Sequence, residues 1–264
     1  MRISEFDGFF YITSELFDSY GIKNLFSTIK DTKRNLKNSV SFSKSEYHDE
    51  DEVLESYKKV AALLDVDLNR ITKSTQVHED NILKVEETHA GMGVTKETKI
   101  KNADGLITDN KNLPLCIFSA DCVPILFADK NKTVISAVHS GWRGTAKEIA
   151  KRAINIMTEE YGIKKDDILC AIGPCISECC FEVSKEVIDA VSHISNSHLC
   201  YYRKENSKYQ LDLKELNKHI LLNFGIKEDN IDICELCTVC EENLFYSYRR
   251  EGQKAGRNAA FITL

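Results

Sequence analysis

Basic runs are missing from this chain. No block of Lys or Arg is longer than a pair, and 41 acidic against 35 basic residues leave a formal charge of −6. A polynucleotide backbone is held by clustered cations that displace its counterions, so a nucleic-acid polymer is not the expected partner. Long apolar runs are also scarce. The longest, from Leu113 to Ala128, contains Asp121 and is too short to span a bilayer. The N-terminal MRISEFDGFFYITSELF is broken by Glu5, Asp7 and Glu15, so it lacks the apolar stretch of a secretory signal, and a soluble, cytoplasmic protein is expected. Three prolines and twelve glycines, with no repeat period and no linker-like segment, give no sign of a division of the chain. Ten cysteines in 264 residues are too sparse for a disulfide scaffold and are expected to be thiols, most of them in the core and some as ligands.

What is present reads as mixed α and β. Val53, Leu54, Tyr57, Val60, Ala61 and Leu64 recur at helical spacing, which predicts an amphipathic helix over 52–64. The polar TIKDTKRNLKNSVSFSKSEYHDED before it reads as loop. ITKSTQVH (71–78) and NILKVEE (81–87) read as strands joined by a short turn, which puts His78 at a strand end. ADGLITD precedes the apolar LPLCIFSADCVPILFAD, which must bend near Asp121-Cys122 because Pro124 cannot donate to a central ladder. TVISAVH (133–139) reads as a buried strand ending at His139. Thr145-Ala-Lys-Glu148 has the form of a capping box before a helix that stops near Gly162. DILCAIGP predicts a strand, 184–194 a helix, and Asp212 to Gly225 another helix; IDIC, LFYSYRR and AAFITL read as closing strands.

His78, Cys122 and His139 each fall where an apolar segment ends. Two imidazoles and a thiolate make a competent zinc shell with its fourth position open, although scattered His and Cys residues more often serve other ends. In GWRGT, Arg143 precedes a helix start, where unpaired N–H groups and the helix dipole favour an anion. The plainer alternative is that Arg143 is solvated and Trp142 is a core plug. Cys234, Cys237 and Cys240 form CxxCxxC, but the position for a further ferredoxin-type Cys is Leu244, so packing is expected there. Cys170, Cys175, Cys179 and Cys180 alternate with Ile172, Ile176 and Phe181, and packing is expected for them as well.

Together, SADCVPILFAD, AVHSGWRGTAKEIAKRAI, AIGPCISECCFEV and FYSYRREGQKAGRNAAFITL resemble the YfiH/laccase-domain family, also called multicopper polyphenol oxidase or purine nucleoside phosphorylase. The resemblance runs from about Gln76 to the end of the chain. It implies an α+β fold, a single mixed-sheet domain over 1–264 with layered helices, in which 1–70 is a variable N-terminal part and 71–264 the motif-bearing core. It also implies that His78, Cys122 and His139 are the metal ligands. Two departures stand out. The family's QVH is usually followed by Gly, here by Glu79 and Asp80, and its TGRMAA is AGRNAA, with Asn258 expected to affect packing.

The laccase name implies copper oxidation of phenols, but seven histidines with no His-x-His pair cannot assemble a coupled multinuclear centre. Copper is left with the single His78/Cys122/His139 site. The resemblance implies instead zinc-dependent phosphorolysis of adenosine, inosine, guanosine and methylthioadenosine, together with adenosine deamination, so the expected partners are nucleosides and phosphate. An open zinc position that activates water suits attack at C6 of adenine. Phosphate would sit on Arg143, Gly144 and Thr145. The expected catalytic set is Cys122, His139, Arg143 and Asp121, with Asp121 orienting a ligand, moving a proton or capping a turn. Two other classes stay open: a cysteine hydrolase with Cys122 as nucleophile and His139 as base, and a non-catalytic zinc-stabilised interaction module.

Overall fold

A computed structural model describes residues 1–33, 40–45 and 48–264. Two six-stranded mixed sheets lie face to face. In the first the spatial order is Arg2–Phe6, Phe9–Thr13, Lys23–Asp31, Asn258–Thr263, Leu115–Ser119 and Thr72–Lys73. In the second it is Ile231–Ile233, Ile168–Ile172, Val123–Asp129, Ile135–Ser140, Gly105–Thr108 and Ile82–Lys84. A small third sheet joins Glu182–Val183, Tyr209–Leu211 and Tyr201–Arg203.

Period-two alternation sorts the apolar side chains into layers. Leu115, Ile117, Leu126, Ala128, Ala137, Ala260 and Ile262 meet between the two large sheets. On the outer face of the second sheet, Val123, Ile125, Phe127 and Val138 pack against Ile149, Ile154 and Met157 of helix Ile149–Glu159 and against Leu216 and Ile220 of helix Leu213–Asn223. On the outer face of the first sheet, helix Glu50–Leu64 buries Val53, Tyr57, Val60, Ala61 and Leu64. Asp49 and Glu52 close that helix start as a reciprocal capping box, and Tyr57 meets the edges of Phe42 and Phe261 at 5.2 and 6.0 Å. The α+β class and the helices layered on mixed sheets follow the sequence expectation.

Several elements differ from it. Residues 74–80 form no strand, because the Asp104 carboxylate, rather than a ladder, accepts from the backbone N–H groups of Val77, His78 and Glu79 at 2.9–3.0 Å. Pro124 lies inside strand Val123–Asp129, opposite His139. It is tolerated there because the ladder to Ile168–Ile172 begins only at Ile125, and the Pro124 carbonyl alone is used, by Gly173 N–H at 2.9 Å. LFYSYRR is not a strand: Ser247 caps the short helix Tyr248–Glu251, accepting from Arg250 N–H. The polar segment 28–51 includes the end of strand Lys23–Asp31, while positions 34–39 and 46–47 lie outside the described residues.

Candidate metal centre and adjoining cavity

His139 is the penultimate residue of the buried strand Ile135–Ser140, and Cys122 stands in the turn just before Val123–Asp129, the strand paired with it. Register therefore places both residues at the same end of this central strand pair. His78 arrives from the irregular segment 74–80 with φ +62°, a left-handed conformation that a Cβ-bearing residue adopts only when its surroundings impose it. Asp104 imposes it by gripping three consecutive amides. The ligand atoms of His78, Cys122 and His139 lie within 4.8 Å of one another, and the two rings stand edge to face with centroids 4.9 Å apart.

The backbone around the triad leaves no slack. A Cβ on Gly141 would lie 3.0 Å from the Cys122 sulfur and 3.2 Å from Cδ2 of His78, so any side chain there would press on both ligands. Asp104, fully buried, takes a 2.9 Å hydrogen bond with Nδ1 of His139 and leaves Nε2 for the cavity side. Carboxylate to histidine to metal is the usual way a ligand imidazole is oriented. Burial works against charge on both Cys122 and His139. It is outweighed at Cys122 by the His139 and His78 imidazoles, which lower the thiol pKa, and at His139 by Cys122 and Asp104, which raise the imidazole pKa. The set fits a tetrahedral zinc shell with one open position, or a single copper.

The triad forms the floor of a cavity of about 730 Å³, a size suited to a small organic ligand. Phe118, Trp142, Phe181 and Tyr248 supply aromatic walls, and Gln76, Arg143, Arg249 and Arg257 supply polar ones. Arg143 is exposed, its guanidinium 4.1 Å from the Trp142 ring centroid, and it forms no ion pair among the described residues. Arg249 and Arg257 are partly committed, to the carbonyls of Cys180 and Glu182 and to those of Ala255 and Gly256.

Other residues singled out by the sequence fall differently. Gly144 and Thr145 are buried behind the wall, and the Thr145 hydroxyl is taken by Ser140 and Asn217. Helix Trp142–Ala146, not a Thr145 capping box, follows the corner, and Glu148 with φ +53° separates it from Ile149–Glu159. The Asp121 carboxylate accepts from Thr238 Oγ1, Ser247 Oγ and Arg249 N–H at 2.6–3.0 Å, which makes it the clasp of three distant segments. The extra charges of Glu79 and Asp80 are met by Lys147 and Arg152. Asn258 is more than packing: its buried amide exchanges two hydrogen bonds with the Tyr246 backbone. Asp104 escaped sequence reasoning altogether, as did Arg249 and Arg257. Cys170, Cys175 and Cys234 are core, as expected, but Cys179 and Cys240 are exposed.

Residues 29–264 match the family model described as multi-copper polyphenol oxidoreductase laccase. A Bacillus subtilis protein named purine nucleoside phosphorylase YlmD is 37% identical over 218 residues, 81% of this chain and 78% of the relative. Adenosine deaminase RL5, from an unknown prokaryotic organism, is 31% identical over 208 residues, 78% of this chain and 79% of the relative. The crystal structure of the Bacillus licheniformis hypothetical protein YfiH superposes with a TM-score of 0.91 at 32% identity, covering 99% of this chain and 98% of that one.

Proposed function

The chain belongs to the multi-copper polyphenol oxidoreductase laccase family, and from that premise we propose that it is a metal-dependent purine nucleoside phosphorylase that also deaminates adenosine. Adenosine, inosine, guanosine and methylthioadenosine are the proposed nucleosides and inorganic phosphate the second substrate. The observation that carries this reading is a two-His, one-Cys ligand set and an uncommitted guanidinium on one aromatic-walled cavity. His78, Cys122 and His139 hold the metal. A zinc ion there supplies Lewis acidity at its open position.

The remaining roles belong to the chain itself. Asp104 fixes the His139 ring and tautomer. The aromatic walls flank the flat base, and Arg143, held on Trp142, presents its fork to phosphate. Asp121, on the cavity lining, positions the Thr238, Ser247 and Arg249 segments through the three hydrogen bonds its carboxylate accepts.

Arg143→Ala tests the assignment. Phosphorolysis needs a bound anion and hydrolytic deamination does not, so adenine formation from adenosine should fall on the order of a hundredfold, the usual effect of deleting one preorganised charged donor. The KM for phosphate should rise while inosine formation falls far less. Parallel loss of both products at every phosphate concentration would place phosphate elsewhere.

A second reading has a specific support: the mutual stabilisation of a Cys122 thiolate and a His139 imidazolium, which suits a cysteine nucleophile with its base. Activity that survives complete metal removal and is abolished by thiol alkylation would favour it over the metal enzyme.

A further inference from the structure

A second cluster of sulfurs lies apart from the triad. Strands Ile168–Ile172 and Ile231–Ile233 are parallel neighbours, so the loops leaving their ends run side by side. The backbones of Cys175 and Cys237 pair in an isolated β-bridge, and Thr238 N–H donates to the Cys175 carbonyl at 3.0 Å. One loop carries Cys179 and Cys180, the other Cys237 and Cys240, and the four sulfurs lie within 4.8 Å of one another. The separations are 3.6 Å between Cys179 and Cys180, 3.6 Å between Cys179 and Cys240, and 3.5 Å between Cys180 and Cys240. A zinc ion with bonds of about 2.3 Å to four thiolates sets its sulfurs about 3.8 Å apart, the edge of the tetrahedron. The spacing is that of a ligand cage.

Apolar burial does not explain the gathering, because Cys179 and Cys240 are exposed to solvent. The local backbone supports a thiolate at Cys237. The N–H of Ser177 donates to the Cys237 sulfur at 3.4 Å, and the amides of Cys240 and Val239 face the same atom. Two residues between Cys237 and Cys240 is the spacing at which one turn presents two sulfurs to one ion.

We propose that Cys179, Cys180, Cys237 and Cys240 form a closed tetrathiolate site for a structural zinc ion, distinct from the His78/Cys122/His139 centre. Four thiolates fill a tetrahedral shell, so the site has no open position and no part in chemistry. Loading displaces the thiol protons into solvent and fastens the 173–181 loop to the 234–245 loop. Ile176 and Phe181 of the first loop line the cavity, so the ion would hold one cavity wall in place.

Zinc content of the full chain, purified under reducing conditions without chelator, tests this. Wild-type protein should carry close to two equivalents. Cys179→Ser/Cys240→Ser should lose one and keep the other, whereas His78→Ala/Cys122→Ser should lose the opposite one. The latter variant leaves all four thiols intact and needs no disruption of the loops. Loaded with cobalt(II), it should show the intense charge-transfer and ligand-field bands of a four-thiolate ion. Retention of the second equivalent by Cys179→Ser/Cys240→Ser, or failure of His78→Ala/Cys122→Ser to bind zinc or cobalt, overturns the proposal. So does detection by mass spectrometry of a disulfide between the two loops in the zinc-replete protein.

Discussion

Gly141 concentrates the residue-scale logic of the centre. Its missing Cβ is the space that the Cys122 sulfur and the His78 ring share. Gly141→Ala would push a methyl group against both ligands while leaving the extended backbone there, φ −71°, undisturbed. Metal affinity in a chelator competition should drop at least roughly tenfold, the scale seen when the support of a ligand is altered, with little loss of folded protein. Asp104→Asn should also weaken metal binding, because each carboxylate oxygen takes two hydrogen bonds and the amide nitrogen can accept neither of the pair it faces. The three ligands were legible in the sequence because imidazoles and a thiol at the ends of apolar segments are chemically distinctive. Asp104 was not, since an Asp before Gly reads as an ordinary turn, and the amides it grips lie 25 to 27 residues earlier. Arg249 was hidden for a related reason: its place on the cavity follows from Asp121 seizing its backbone.

Short elements carry the cavity wall, and they are held by buried polar contacts. Helix Trp142–Ala146 spans five residues, too few to persist alone. It is fastened to helix Leu213–Asn223 through Asn217, whose Oδ1 accepts from Ser140 Oγ at 3.0 Å and whose Nδ2 donates to Thr145 Oγ1 at 3.1 Å and to the Leu213 carbonyl at 2.8 Å. Asn217→Ala removes all three hydrogen bonds and leaves the buried Ser140 and Thr145 hydroxyls only each other, at a cost of about 1–3 kcal/mol. The urea midpoint should fall with the slope unchanged, and the KM for phosphate should rise as Arg143 loses its footing. Helices over 50–64, 149–159 and 213–223 were legible from their amphipathic periodicity, which the Asp49 and Asp212 caps reinforce at the first and last of them. The break at Glu148 and the short helix before it were not. Thr145-x-x-Glu148 satisfies the local capping pattern, yet Asn217, 72 residues away, claims the Thr145 hydroxyl. In the same way, the CxxCxxC pattern shows only half of its neighbourhood, because the partner sulfurs come from Cys179 and Cys180.

At the scale of the molecule, strand Asn258–Thr263 is the keystone of the first sheet. It pairs antiparallel with Lys23–Asp31 on one side and Leu115–Ser119 on the other, and all six of its residues are buried. A chain cut after residue 256 would leave two inner strands with open edges and uncover the apolar face that Ala260 and Ile262 help to fill. Such a truncation should appear in the insoluble fraction, whereas Leu264→Ala should remain soluble with nearly unchanged thermal stability. A short, nearly continuous apolar run made this strand legible, but its neighbours were not, since pairing with strands that lie about 140 and 230 residues earlier leaves no local mark. The same strand sets a timetable. Synthesis runs from N-terminus to C-terminus, so both strands that flank it emerge before it does. At roughly 5–20 residues per second, the strand at 23–31 waits on the order of ten seconds or more for its partner. Through that interval the nascent chain holds sticky, half-built sheet beside the ribosome, so the burden of keeping it from its neighbours falls on the cell's chaperones until translation delivers the final strand.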